Sequence, residues 1–316
     1  MRDITPREAR HLAETMLGCK VHRLEPFLPQ AGGNDSHAFR LWVGPEAMLL
    51  KIMKQPNTPV GMYFHGRLEE AGIPVPRLHA FSPNAGPEGR ACVIWEWIEG
   101  LPVHWPKRAP CPFDEGEFGA LLRCIHELRF DGPFGFLGDD LSDRSFSWSP
   151  HLRAASDTWK GFFDFTSASR WLAAKRYLDM HEAEVFISLP DRLSDPLSEA
   201  KCRLLHTDLK TNLILDPRSR RIRAVLDYTD CCAGDPRWEL ALVDYWFAER
   251  IVHYLPFDMA RFREAYGTDH NPKDDLGRFY LAAILALDEL AGAGTDSLKG
   301  KWALATLKSV IDSFDT

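Results

Sequence analysis

Apolar and polar positions alternate along much of the first hundred residues, and this predicts a strand-rich region. Val21 to Gln30 reads as a strand, and residues 31–36 (Ala-Gly-Gly-Asn-Asp-Ser) as a tight glycine-bearing turn. Phe39–Val43 is a second strand. Gly44-Pro45-Glu46 turns the chain into a third, Met48–Ile52. A short helix over about residues 60–71 ends at Gly72 and Pro74. Residues 91–98 form a further strand, closed by Glu99-Gly100. The stretch before all of these, 1–20, is charged and amphipathic rather than a signal peptide.

After Pro112 the period lengthens. Asp114 with Glu117 three residues later has the form of a capping box, and Phe118, Leu121, Leu122, Ile125 and Leu128 then recur at helical spacing. Residues 131–150 read as a long loop and about 155–188 as helices. Residues 201–235 are a β-hairpin island, and three helices follow at roughly 236–255, 275–292 and 297–313. The expected fold class is α+β and bilobal. Residues 1–99 would form a small β-rich N-lobe with one helix, and residues 100–316 a larger, mainly helical C-lobe.

Composition narrows the function. The chain has 316 residues, 45% hydrophobic and 26% charged, which suits a globular protein with a sizeable core. Its 38 basic and 45 acidic residues give a net charge of −7. That argues against a nucleic-acid partner, and it suits either a cationic small substrate or a plain solvated surface. Seven cysteines occur without a C-x-x-C pair, so the expectation is reduced thiols in a cytoplasmic protein. No apolar run is long enough for a membrane span, and no Gly-x-Ser-x-Gly elbow is present.

The candidate chemistry lies in the hairpin. His206-Thr207-Asp208-Leu209-Lys210-Thr211-Asn212 runs into an apolar strand, and the returning strand ends at Asp227. In an antiparallel hairpin the start of one strand lies beside the end of the other, so Asn212 and Asp227 should meet at the open end. An amide oxygen and a carboxylate there make a credible Mg2+ site, completed by phosphate oxygens and water. Asp208 at the same mouth could accept the proton of an attacking hydroxyl. Taken singly, each aspartate is equally readable as a turn or strand-end residue. Lys51 sits within the apolar strand Met48–Ile52, where it is either an inward ammonium that needs an anion such as a nucleotide phosphate or a lysine on the solvent face of a half-exposed strand. Gly32 and Gly33 would let backbone N–H groups approach those phosphates. Lys210 is either a γ-phosphate contact or a solvated loop lysine. A P-loop is excluded, because no G-x-x-x-x-G-K-[ST] occurs.

Together these segments resemble the aminoglycoside phosphotransferase/choline-kinase-like family, small-molecule kinases with a protein-kinase-like fold. The resemblance spans about residues 20–250. Gly32 to Leu41, with Ser36, is similar to the family's nucleotide-loop hairpin. Met48–Ile52 is similar to its lysine strand, and Ile94 to Gly100 to its hinge, whose backbone at Glu96 and Ile98 would bind the purine. Ile125-His126-Glu127-Leu128 and Phe134 to Leu137 match the segment after its first C-lobe helix. His206 to Asp216 and Val225 to Ala241 carry the most specific matches.

The resemblance implies ATP or GTP with Mg2+ as cofactors, Asp208 as the base, and Asn212 and Asp227 as metal ligands. It implies Lys51 on the α- and β-phosphates, His206 bracing the loop, and Glu239 where the family has a loop-supporting aspartate. Two departures stand out. Asn212 follows Asp208 by four residues where the family has five, and the helix position that offers a glutamate to the lysine falls at or near Gly61. The expected activity is phosphoryl transfer to a hydroxyl of a small molecule. The acceptor would be an antibiotic, an aminoglycoside or another hydroxylated natural product, which would make the chain an antibiotic-resistance enzyme. Two alternatives stay open: a metabolite kinase for choline, an amino alcohol or a sugar, and a non-catalytic nucleotide-binding relative. Asp230, Asp244 and Glu249 are candidate acceptor contacts, with the protein a monomer or homodimer.

Overall fold

The computed structural model describes residues 4–27, 36–53, 59–103, 111–136, 155–228, 231–247, 257–268, 271–290 and 297–315. From the N-terminus come α1 (Pro6–Leu17), β1 (Arg23–Phe27), β2 (Ser36–Val43), β3 (Glu46–Met53), α2 (Pro59–Glu70), β4 (Leu78–Ser82), β5 (Cys92–Glu96) and β6 (Leu101–Pro102). Then follow α3 (Glu115–His126), β7 (Phe134–Phe136), β8 (Ala155–Ser156), α4 (Trp159–Phe162), α5 (Phe165–Ala174), α6 (Met180–Arg192) and α7 (Ser194–Ser198). The last elements are β9 (Arg203–Leu205), β10 (Leu213–Leu215), β11 (Ile222–Val225), β12 (Cys232–Gly234), α8 (Pro236–Phe247), α9 (Met259–Tyr266), α10 (Asp275–Ala283) and α11 (Leu298–Asp312). The chain divides into two compact units. One is Met1–His104 with Leu209–Thr229, and the other is Trp105–Asp208 with Asp230–Thr316.

In the first unit the strands pair antiparallel in the order β1-β2-β3-β5-β4. Alternation sorts the residues onto two faces. Phe39, Leu41, Met48, Leu50, Ile52, Cys92 and Ile94 lie on one face, buried under Ala9 and Ala13 of α1. The register Ala38↔Lys51↔Val93 and Arg40↔Leu49↔Trp95 puts Lys51 on the opposite face. The unit therefore has two helices, not the single one expected. The extra helix forms because Thr5 and Glu8 make a reciprocal capping box, Pro6 opens the first turn, and Gly18 ends it at φ +66°. The first strand starts at Arg23 rather than Val21, and β4 was not foreseen.

The hairpin joins this unit, which moves it out of the expected continuous C-lobe. Leu213 pairs with Val225, and β6 adds as a third strand through Ile214↔Pro102 and Leu215↔Leu101. The Val103 N–H donates to the Leu213 carbonyl at 3.0 Å, and the Val225 N–H to the Pro74 carbonyl at 2.8 Å. Gly100 permits this approach, since a Cβ there would collide with Ile214 and the Leu215 carbonyl.

The second unit holds the sheet β8-β7-β12-β9 and most of the helices. Asp114 caps α3 by accepting from the Glu117 N–H at 2.9 Å. Helix α8 is buried from Trp238 to Phe247, so its tryptophans and tyrosine serve the core. The expected helix over 275–292 divides into α10 and a π-helical turn, Ile284–Glu289. Helix α9 was not foreseen. Asp258 caps it, and Gly267 closes it at φ +77°.

Two glycines give a paired test. Gly100→Ala should destabilise the protein by about 1–3 kcal/mol, as overpacking does. Gly66→Ala, in α2 with nothing within 4 Å of the new Cβ, should be neutral or stabilising. Urea unfolding of both variants checks this, and equal effects would contradict the packing of β6 against β10.

Candidate active site

In the second unit, β9 delivers His206-Thr207-Asp208, and the backbone of this loop hangs on one side chain. Glu239 of α8 is fully buried. Its Oε2 accepts from the His206 N–H at 2.8 Å and its Oε1 from the Thr207 N–H at 2.8 Å. His126 Nε2 lies 3.0 Å from the same Oε2, and His126 Nδ1 lies 2.8 Å from the Tyr266 hydroxyl. Burial pushes the Glu239 carboxyl up. The His126 hydrogen bond, the charges of His126 and His206 and the His206 N–H outweigh that, and the group rests below its ordinary value of 4.5. Thr207 is held at φ +62°, a left-handed conformation that a β-branched residue adopts only under constraint. His206 Nδ1 accepts from the Asp208 N–H at 3.4 Å, so the buried imidazole also ties the loop.

Helix α8 is itself anchored at its start. Asp235 precedes Pro236, and its Oδ1 accepts from the Arg237 N–H at 2.9 Å. The other oxygen accepts from the Arg237 guanidinium at 2.5 Å and from the Tyr280 hydroxyl at 2.9 Å. Tyr280 in turn accepts from Trp159 Nε1 at 2.9 Å. Glu239 therefore lies one turn inside a helix whose first turn is fixed by a buried network.

The first unit holds the remaining parts. Lys51 Nζ is 3.8 Å from Asp227 Oδ2, both side chains being part-exposed. No acidic residue occupies the first turn of α2, and Glu69 and Glu70 are exposed at its far end. The lysine thus meets the carboxylate of the hairpin. The Asn212 carbonyl accepts from the Leu226 N–H at 2.8 Å, which sets Asn212 and Asp227 at the same end of the hairpin. Asp227 is left-handed at φ +56°. Lys210 lies in a 3-10 turn, Leu209–Thr211. No group of three His, Cys, Asp or Glu side chains capable of holding a metal occurs among the described residues. An amide and a carboxylate still fit Mg2+, which keeps waters and takes phosphate oxygens rather than an all-protein cage.

The other expected site residues are scattered. Ser36 opens β2 opposite Met53. The Glu96 N–H donates to the Arg77 carbonyl at 2.8 Å, and the Glu96 carboxylate accepts from the Arg77 N–H at 3.1 Å. Glu96 and Ile98 line a shallow pocket with Trp97, Glu99 and Arg223. Asp244 is buried and ion-paired to Arg263 of α9 at 2.6 Å. Gly32, Gly33, Asp230 and Glu249 lie outside the described residues. Sequence reasoning did not find Tyr266, since α9 itself was not foreseen, nor Tyr228, whose only signal was a tyrosine beside Asp227.

The β-sheet N-terminal region and the helical C-terminal region define a kinase-like phosphotransferase fold. Residues 27–289 match the model of the phosphotransferase enzyme family (APH), and the chain belongs to that family. It is accordingly an enzyme of the small-molecule phosphotransferase class. Three solved structures show the same fold. A Thermobifida fusca protein assigned as a fructosamine-3-kinase is 17% identical, covering 98% of this chain and 99% of that one, with a TM-score of 0.62. Spectinomycin phosphotransferase APH(9)-Ia, in complex with ADP and spectinomycin, is 14% identical over 100% and 99%, with a TM-score of 0.61. A thermostable mutant of aminoglycoside phosphotransferase APH(4)-Ia, with AMP-PNP and hygromycin B, is 18% identical over 96% and 97%, with a TM-score of 0.60. No curated protein matches the sequence.

The Glu239 anchor predicts a pH dependence. A folded-state value below 4.5 means its stabilisation is present above that pH and lost as pH falls through the folded value. Glu239→Gln cannot titrate and cannot accept with both atoms. It should cost about 2–3 kcal/mol near neutrality and flatten the acid loss of stability. Denaturant unfolding across an acid pH series checks this, and parallel curves for both proteins would contradict it.

Proposed function

We propose that this chain transfers the γ-phosphoryl group of ATP or GTP, with Mg2+, to a hydroxyl of a small cationic acceptor. The observation that carries the reading is the ammonium of Lys51 at 3.8 Å from Asp227, on the sheet face opposite the α1-covered core and beside Asn212. A lysine and a carboxylate held part-exposed on one sheet face are suited to a polyphosphate and its metal ion.

In this reading Lys51 holds the α- and β-phosphates, and Asn212 with Asp227 supplies the protein oxygens for Mg2+. The metal ion would neutralise charge between the β- and γ-phosphates. Asp208 orients the acceptor hydroxyl and takes its proton, and Lys210 reaches toward the γ-phosphate. Gly32, Gly33 and Ser36 would cover the phosphates, while the backbone at Glu96 and Ile98 would meet the base. Glu239 and His206 hold the loop that presents Asp208, so little reorganisation is left for the moment of reaction.

The favoured acceptor is an antibiotic bearing amino and hydroxyl groups, with Asp230, Asp244 and Glu249 as candidate contacts. The net charge of −7 supports a cationic molecule, and the structural likenesses include proteins bound to hygromycin B and spectinomycin. A metabolite kinase acting on choline, an amino alcohol or a sugar is the second reading. It is supported by the fructosamine-3-kinase likeness at equal similarity. A non-catalytic nucleotide binder is the third, motivated by the four-residue spacing from Asp208 to Asn212. A cytoplasmic setting agrees with the cysteines. Burial pushes the Cys92, Cys111 and Cys202 thiols up to about 12, far from reactive thiolates.

Asp208→Ala should lower acceptor phosphorylation by about 10²–10⁴-fold, measured with labelled nucleotide, while nucleotide affinity by calorimetry is unchanged. Undiminished turnover would overturn the assignment of the base. Nucleotide binding without turnover of any acceptor by the unmodified protein would favour the non-catalytic reading.

A further inference from the structure

Asp227 needs a reason to hold its backbone at φ +56°, where a residue with a side chain is disfavoured. The residues around it supply one. The Tyr228 hydroxyl donates to the Val225 carbonyl at 2.6 Å, closing a loop of hydrogen-bonded chain around Leu226 and Asp227. The Val225 N–H is fixed on the Pro74 carbonyl and the Leu226 N–H on the Asn212 carbonyl, both at 2.8 Å. Every residue flanking Asp227 in this turn is thus pinned, and Tyr228 makes the closing bond from its side chain.

The tyrosine ring is held as firmly as its hydroxyl. It is 6% exposed and packs among Phe64, His65 and Trp95, with centroids at 6.0, 5.5 and 6.1 Å. His65 is fixed in turn by its Nε2 at 2.7 Å from the Pro76 carbonyl and by its ring at 4.6 Å from Trp95. Phe64 and His65 belong to α2. This helix, which brings no carboxylate to Lys51 from its first turn, instead reaches the Asp227 turn through aromatic contacts.

We propose that Tyr228 is a positioning residue. Its hydroxyl bond to Val225 and its aromatic seat against α2 set the backbone of Asp227, and so aim the carboxylate at Lys51 and the bound Mg2+. The proposal rests on the reading of Asp227 as a metal ligand. It differs from simple packing in that the hydroxyl governs metal affinity, whereas the ring alone would govern stability.

Tyr228→Phe keeps the ring and deletes the hydroxyl that donates to the Val225 carbonyl. The probe is Mn2+ binding, followed by electron paramagnetic resonance, to protein saturated with a non-hydrolysable ATP analogue. The expected result is Mn2+ affinity weakened by about fivefold, the scale of one lost hydrogen bond, with nucleotide affinity in EDTA unchanged. Unchanged Mn2+ affinity, with or without a lower Tm, would overturn the proposal and leave Tyr228 a packing residue. Should that variant not fold, His65→Ala removes the α2 support without touching β11 and must weaken Mn2+ in the same direction; unchanged affinity there overturns the proposal equally. Asp227→Ala separates the two levels. If it leaves Mn2+ affinity intact, the metal-site reading fails, whatever Tyr228→Phe does.

Discussion

A single buried carboxylate, Glu239, organises the backbone of the loop that carries His206, Thr207 and Asp208. Its two oxygens take the N–H groups of two consecutive residues and one imidazole nitrogen, so neither buried oxygen goes without a partner. Removing it would strand two backbone donors and a histidine at once. That is why the surroundings of α8 are over-determined, from the Asp235–Arg237–Tyr280 network at its start to the Tyr266–His126 pair behind the carboxylate. Strain at Thr207 persists because its N–H has a fixed partner.

The first unit follows a different logic. Its sheet separates an α1-covered apolar face from a second face that bears part-exposed Lys51 as well as buried Trp95, and the hairpin brings Asp227 to that face. Here the charges stay part-exposed, where they can exchange one partner for another. In the proposed reading, the lysine that now pairs with a carboxylate at 3.8 Å would turn to a triphosphate and the carboxylate to its metal ion, the anion satisfying the ammonium and the cation the carboxylate.

Much of this was legible in the sequence, for identifiable reasons. Strand alternation gave β2 and β3, and the hairpin followed from two apolar runs around Pro217-Arg218-Ser219-Arg220, with Asn212 and Asp227 at its mouth. The support role of Glu239 was implied by the family resemblance, and its hydrogen bonds to the His206 and Thr207 N–H groups fill that role. Less legible were features set by tertiary contacts. Helix α1 hid in a charged stretch whose moderate apolar face makes sense only against the sheet. Helix α9 is only eight residues long, so its apolar period is short. The allocation of the hairpin to the first unit depends on β6, two residues of strand that no local pattern marks. The partner of Lys51 depends on Gly61 occupying the helix position where an acid was sought, which leaves Asp227 to meet it.

Phosphorus-31 NMR of the unmodified protein with Mg2+, ATP or GTP, and a mixture of cationic polyhydroxylated acceptors tests the central claim most directly. Phosphoryl transfer predicts loss of the γ-phosphate resonance matched by equal growth of nucleoside diphosphate and of a new phosphomonoester, all dependent on Mg2+. A nucleotide that binds yet keeps its γ-phosphate with every acceptor, or that yields only inorganic phosphate, would contradict the account.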